Sequence, residues 1–445
     1  MLKIMCVLSL LLVINAKDDD MDIENKGPYR WFSSRTPYEL VSSQKIVVPD
    51  GYTPQQIFTI NRHGTSHPEK HSRNYMLMKL TDFTTKRGAK IIKNARLSSE
   101  DIQSILNWIP NKDHNFGPGL HQKGQKEIKE LAQRIKNSFS TIFSTPFNDS
   151  DYTVNSLPDE RCEQTGLIFL QTIFNNNDIT SIPVCHSEDK ILMQKNIMSY
   201  DSSDMKTYID LQMQQQKIKV MSEMDRFKSS EIMANVVQMV RERLGLDPED
   251  LDPDLVFFMY DMCTHEGSPS DNGTPVWCKV FSDSDLEVLE YVEELYMFNT
   301  VGYGNDFHPQ LAAPMYKRLL VSLQEKVGEK VGENRPKGVF YFANTENVLS
   351  MYVALNLGRG DQTLNAENYR GMKDLSWRTS KIGPWAANFM AVLYKDEAGK
   401  FFVAFYFNEQ LTTIKVESGN DCQFCSWNDV EEKLELYKDK NLYID

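Results

Sequence analysis

Three short apolar runs, each closed by polar residues, limit this chain more than any other feature. They are "QQIFTIN" (55–61), "DYTVNSL" (151–157) and "KGVFYFAN" (337–344). Each is rich in β-branched or aromatic residues and too short for a buried helix, so each reads as a strand. The second is followed directly by "RCEQTGLIFLQTIF" (161–174) and the third by "TENVLSMYVALNLG", both helical in pattern. Strands that alternate with helices are joined by crossovers, and crossovers make neighbouring strands parallel. The implied class is α/β, a central and mainly parallel sheet flanked by helices. "AANFMAVLYKDEAGKFFVAFYFNEQ" adds two strands joined at "DEAGK", and a short helix is expected near 428–437.

Between the strands lie helical patterns. "LHQKGQKEIKELAQRIKNSFSTIF" (120–143) has apolar positions at helical spacing, Ile128, Leu131, Ile135, Phe139 and Ile142. Residues 69–115 are polar and suit several short helices, and a further helix is expected at about 309–327. Residues 187–300 are mostly helical by pattern and rich in Met and Gln, an inserted α-domain. Their last helix opens with Ser282 and Asp285 in a capping arrangement. The α/β core is then expected over 17–186 and 301–445, with part of the cap from 69–115.

The start of the chain carries Lys3, an apolar run from Ile4 to Ile14 and a small Ala16 before an acidic stretch. That is the pattern of a secretory signal peptide over residues 1–16, too short for a membrane span. A secreted protein with no second long apolar stretch is expected. Six cysteines remain after Cys6 leaves, an even number that in an oxidising compartment implies disulfides. The local pairs are Cys263 with Cys278 and Cys422 with Cys425, which leaves Cys162 with Cys185 by elimination. A redox or zinc motif is the rival reading of Cys422-x-x-Cys425, without a thioredoxin-like setting or a second ligand pair to support it. Asn148 and Asn272 open N-glycosylation sequons.

The net charge of −13 argues against nucleic acid as a partner. Any site for a phosphorylated ligand must therefore be locally basic. "KLTDFTTKRGAKIIKNAR" holds Lys79, Lys86, Arg87, Lys90, Lys93 and Arg96 against Asp82 alone. It reads as a solvated helix face, or as a basic rim that attracts phosphates.

In open α/β sheets ligands sit beyond the carboxyl ends of strands. "NRHGTSHP" (61–68) follows the first strand, and "NTE" follows the third. Imidazole with one free nitrogen can attack phosphorus. A neighbouring Arg can hold phosphate oxygens bidentately, Gly admits close backbone, and a carboxylic acid can protonate a leaving alkoxide. By chemistry Arg62, His63, Gly64 and Glu346 suit such a site, with Arg161 as a second cation. A merely hydrogen-bonded structural histidine is the plainer reading of His63. His63, His67 and His71 are also spaced like metal ligands, but Pro68 and the strand end argue against one helix through all three, and no HExxH is present.

These segments resemble the histidine phosphatases of the acid-phosphatase branch, and within it the multiple inositol polyphosphate phosphatases. "NRHGTSHP" is similar to the family's R-H-G-x-R-x-P motif, "GLHQKGQKEIKELAQRI" to its L-T-x-x-G helix, and "DERCEQTGLIFLQTIF" to its Arg-Cys helix. "PVWCKVFSDSDLEVLEYVEEL", "GYGND", "FANTENVL" and "KIGPWAANFMAVLY" resemble further segments in order, and the likeness spans about 28–435. The resemblance implies a phosphohistidine mechanism with neither metal nor cofactor. His63 is then the nucleophile, Glu346 the acid, and Arg62 and Arg161 phosphate ligands. It implies as ligand a small phosphorylated molecule, an inositol polyphosphate or 2,3-bisphosphoglycerate. Two positions depart from the family: Ser66 stands where it has a second Arg, and Asn344 where it has the His of H-A-E. Both still donate hydrogen bonds, and neither brings a charge. The expectation is a secreted phosphatase of weak or lost activity. The alternative is a catalytically inactive secreted binding protein on the same fold.

Overall fold

In a computed structural model, residues 27–438 are described, except 44, 69, 109–118, 185–207, 269–273, 331–332, 361–362 and 370–375. The expected signal peptide, Asn272 and Cys185 lie outside the described residues.

The strands of the main sheet are β1 (Tyr52–Arg62), β2 (Tyr152–Ser156), β3 (Gly338–Ala343), β4 (Asn388–Asp396), β5 (Phe401–Phe407), β6 (Gln410–Thr412) and β9 (Phe424–Ser426); β7 (Ile414–Lys415) and β8 (Asp421–Cys422) form a small separate pair. The order is β2-β3-β1-β4-β5-β6, with β9 also on β5. β2, β3 and β1 run parallel, and β4, β5, β6 and β9 extend the sheet antiparallel. The helices are α1 (Lys70–Asn94), α2 (Ser99–Leu106), α3 (Gln122–Ser138), α4 (Glu160–Phe174), α5 (Tyr208–Lys228), α6 (Glu231–Leu244), α7 (Pro253–Gly267), α8 (Asp283–Thr300), α9 (His308–Val327), α10 (Thr345–Ala354), α11 (Thr379–Ile382) and α12 (Trp427–Glu435).

Two hydrophobic cores account for the layering. The first joins β1, β3 and β4 to Ile128, Leu131 and Ile135 of α3, Phe169 and Leu170 of α4, and Leu319 of α9. Each of these side chains is buried, a contribution of about 1.5–3 kcal/mol for each large one. The second core is helical. It gathers Met76 and Leu80 of α1, Val237 of α6, Met259 of α7, and Leu289 and Val292 of α8 around Trp277, with Leu349 and Val353 of α10. α10 faces both, because Val348 and Met351 belong to the first core.

The described residues within 69–115 differ from expectation. Instead of several short helices they form the 25-residue α1, then α2 after Ser98, whose side chain caps the Asp101 amide. α1 is held laterally, with Arg87 bonded to Asp250 at 2.7 Å and Lys90 to Asp247 and Asp250, while Lys86 pairs within the helix with Asp82 at 2.8 Å. Its basic stretch is therefore partnered by carboxylates of the helical layer. α8 opens with the Ser282–Asp285 capping box.

Cys263–Cys278 and Cys422–Cys425 are disulfides. The first closes a separation of 15 residues, worth about 3 kcal/mol by loop entropy. The third expected pair is corrected: Cys162 is a free, buried thiol. Its Sγ lies 3.3 Å from the Ala343 carbonyl oxygen, where α4 packs on β3, and burial pushes the thiol up. Asn148 is exposed in a turn, its Oδ1 accepting from the Asp151 amide at 2.9 Å. Among the described residues no helix is long and apolar enough to cross a membrane.

Candidate active site

The sheet order puts three carboxyl ends side by side. Arg62 pairs with Ala343, and Ser156 with Phe342. The segments after β1, β3 and β2 thus bring Arg62–His63, Asn344–Glu346 and Asp159–Arg161 to one edge of the sheet.

His63 is buried, and its amide donates to Ala343 O at 3.1 Å. Its Nδ1 lies 3.0 Å from the Gly64 carbonyl oxygen. A carbonyl only accepts, so Nδ1 carries the proton and the lone pair is on Nε2. Burial holds the imidazole well below its usual range, and the charges of Arg161 and Arg62 add to this. The side chain is neutral and nucleophilic even in mild acid.

Arg62 is buried among neutral partners. Nη1 donates to the Ser34 and Gly383 carbonyl oxygens, the latter at 3.0 Å, and the guanidinium lies over the Trp385 ring at 4.2 Å. Trp385 also packs on His63 at 5.4 Å between ring centres. Burial pushes Arg62 down to about 9, against the opposing charge of Glu346. It stays charged at neutral pH. Its Nε is buried without a partner among the described residues.

Arg161 is held differently. Asp159 caps α4 by accepting from the Arg161 amide at 2.9 Å, and its oxygens also take Nε at 3.0 Å and Nη2 at 2.5 Å. Burial alone would raise Asp159, but the bonds and charge of Arg161 outweigh it and hold the carboxyl down.

The loop after His63 has no slack. Gly64 and Gly124 meet backbone to backbone: a Cβ on Gly64 would lie 2.6 Å from Gly124 O, and one on Gly124 2.1 Å from Thr65 O. Glu127, one turn along α3, accepts from the Thr65 amide at 2.9 Å and the Thr65 hydroxyl at 3.0 Å. Burial pushes Glu127 up to about 7.

The two departures sit within this frame. Ser66 is buried, bridges Leu120, and its Oγ has no partner among the described residues. Asn344 precedes α10, with Cys162 Sγ 3.7 Å from its Oδ1. Glu346 is half-buried in the first turn of α10. His67 packs on His121, the N-cap residue of α3, at 5.4 Å, and His71 lies within α1, so the three spaced histidines share no helix. Among the described residues no cluster of three or more His, Cys, Asp or Glu is arranged to hold a metal ion.

Sequence reasoning missed Asp159, Glu127 and Trp385. Asp159 had a signal, an N-cap residue two before Arg161. Glu127 had a weaker one, a carboxylate beside the apolar stripe of α3. Trp385 had none.

A parallel three-strand edge thus carries a neutral histidine within reach of the charges of Arg62 and Arg161, an arrangement suited to an anionic ligand. The sequence matches the profile of the histidine phosphatase superfamily (branch 2) over residues 55–408, and the chain belongs to that family. It is 26% identical to multiple inositol polyphosphate phosphatase 1 of Drosophila melanogaster over 98% of this chain and 92% of that one. It is 23% identical to the Homo sapiens protein of the same name, covering 94% and 86%. Among solved structures it is similar to the phytase from D. castellii, TM-score 0.68 at 15% identity over 93% and 86% of the two chains. It is also similar to the Bifidobacterium longum multiple inositol polyphosphate phosphatase in complex with inositol hexasulfate, TM-score 0.67 at 13% identity over 91% and 97%.

Proposed function

We propose that this protein is a secreted, low-turnover phosphomonoesterase that acts on inositol polyphosphates or 2,3-bisphosphoglycerate through a phosphohistidine. The observation that carries the reading is His63, a neutral imidazole with its Nδ1 proton on Gly64 O and both arginines beside it. Nε2 attacks phosphorus, the bond from phosphorus to the leaving oxygen breaks, and protonated Glu346 gives that alkoxide its proton. Glu346, now a carboxylate, takes a proton from water. The hydroxide attacks phosphorus, the P–N bond breaks, and inorganic phosphate leaves a neutral imidazole. No metal or cofactor enters these steps. The names of the relatives support the substrate class. Two disulfides and an exposed Asn148 sequon fit the secretory route.

Ser66 and Asn344 make turnover low. Each replaces a charged donor by a neutral one, and loss of one preorganised donor typically costs about 10²–10³ in rate. The same substitutions, with Asp159 already on Arg161, favour a second reading as an inactive binding protein. Phosphate release from inositol hexakisphosphate and 2,3-bisphosphoglycerate at mildly acidic pH, with His63→Ala as the control, separates the two. Slow release that vanishes in the control supports the phosphatase. Release equal to the control, with a raised Tm in the presence of inositol hexakisphosphate, supports the binding protein.

A further inference from the structure

We propose that Glu290 and Glu294, in the helical layer, are positioning residues for anion capture, because they anchor both backbone segments whose carbonyls hold Arg62. This rests on the reading of Arg62 as the phosphate grip.

Arg62 Nη1 is oriented by two main-chain oxygens, Ser34 O and Gly383 O. Where those oxygens lie depends on what fixes residues 33–36 and 378–383. Each segment contains a single short turn, Ser33–Arg35 and Thr379–Ile382, and neither belongs to the sheet. Both converge on α8. Glu294 accepts from the Thr379 amide at 3.0 Å, the Thr379 hydroxyl at 2.7 Å and the Ser33 hydroxyl at 3.1 Å. Glu290, one turn earlier, accepts from the Ser33 amide at 3.0 Å and from Arg378 Nη2 at 3.0 Å. Both carboxyls are fully buried. One pair of side chains thus ties together two segments more than three hundred residues apart in sequence. The Trp385 amide joins them again, donating to Thr36 O at 3.1 Å.

Two further features fit a clamp. Ser33 has φ 46°, a left-handed backbone that a non-glycine residue keeps only when its surroundings impose it. Its amide and hydroxyl bonds to α8 supply that constraint. Arg35, two residues on, is fixed to the same layer by Asp261 at 2.6 Å, Thr264 at 2.7 Å and Glu293. The clamp reaches Arg62 through the Ser34 and Gly383 carbonyl groups.

The charged and titratable groups around the pair are Arg35, Tyr260, Asp261, Glu293, Tyr369 and Arg378, with Tyr291 on the same helix. Burial, with Glu290 next, pushes Glu294 up to about 8. Burial also raises Glu290, against the charge of Arg378. Raising the pH through about 8 puts a negative charge on Glu294 in this buried setting and loosens the clamp.

The test is calorimetric binding of inositol hexasulfate, which phosphatase chemistry does not consume, to the whole secreted chain. Arg62→Ala sets the scale. Glu290→Ala and Glu294→Ala are each expected to weaken binding about tenfold, the scale on which supporting groups act. Glu294→Gln is expected to recover most of that loss and to remove the decline in affinity above about pH 8. If Glu294→Ala does not fold, Thr379→Val, which deletes the 2.7 Å bond alone, is expected to weaken binding a few-fold. Wild-type affinity in the glutamate and Thr379 variants, with Arg62→Ala weakened, overturns the clamp alone. Wild-type affinity in Arg62→Ala overturns the phosphate grip and the clamp with it.

Discussion

The two sides of His63 solve one problem in opposite ways. Arg62 is buried against carbonyl oxygens and an indole face, so its charge meets no carboxylate at bonding distance. Arg161 sits at the end of a helix with Asp159 on its amide, Nε and Nη2. The first arginine has Glu346 as a carboxylate neighbour but no carboxylate bonded to it among the described residues, and burial holds it down to about 9. The second offers a charge that a phosphate must share with Asp159. The difference teaches that attraction for an anion here comes mainly from one side. On the proposed reading, it is also why neutral residues at Ser66 and Asn344 would weigh heavily.

The most drastic way to break this contrast is Arg62→Ala. It should lower kcat/KM for inositol hexakisphosphate by about 10³ or more, the range for a preorganised donor that also carries charge. Next comes the repair, Ser66→Arg with Asn344→His, which should raise kcat by about 10² if the rest of the pocket is intact. A double variant that stays inert would show that the leaving-group side is also altered. Asp159→Asn acts on the other arginine. Asn still caps the helix, so the fold holds while Arg161 is released. KM for the hexakisphosphate should drop several-fold with little change in Tm. A raised KM would show that Asp159 aims Arg161 rather than competing for it.

The smallest effect is in stability against pH. Burial pushes Glu127 and Glu266 up to about 7, and Glu294, beside Glu290, to about 8. The fold therefore keeps protons that the unfolded chain has released. Stability from these groups is full below the unfolded value and falls as pH rises through the folded one. His265, down to about 3, and the lowered His63 act in the opposite sense, but only below about 6.5. Between about pH 6.5 and 8, Tm should decline, and Glu294→Gln should flatten the decline. A flat wild-type curve would mean these carboxyls ionise normally.

The sheet was legible because strand and helix signals are local. "KGVFYFAN" became Gly338–Ala343, the 309–327 helix became His308–Val327, and Ser282 with Asp285 formed its capping box. α1 was less legible. Gly88 and a scatter of charges interrupt its apolar pattern, and carboxylates more than a hundred residues away complete it. Cys162 misled because cysteine parity says nothing of direction, and its thiol points to a strand carbonyl. Among the site residues, Arg62, His63, Arg161 and Glu346 could be named in advance. Ser34, Gly383 and Glu294 could not, although the last two fall in family-like segments. Two act through backbone oxygens that any residue carries, and the third acts on backbone far away in sequence.

The contact between Gly64 and Gly124 has a mechanical consequence. With two main chains touching, the segment bearing the reactive nitrogen cannot swing, tilt or be padded. On the proposed reading, His63 is aimed before anything binds. A single methyl at either glycine would mis-aim the imidazole while leaving every ligand-facing side chain untouched. Gly124→Ala would then resemble a nucleophile knockout, although it alters a residue in the first turn of a supporting helix.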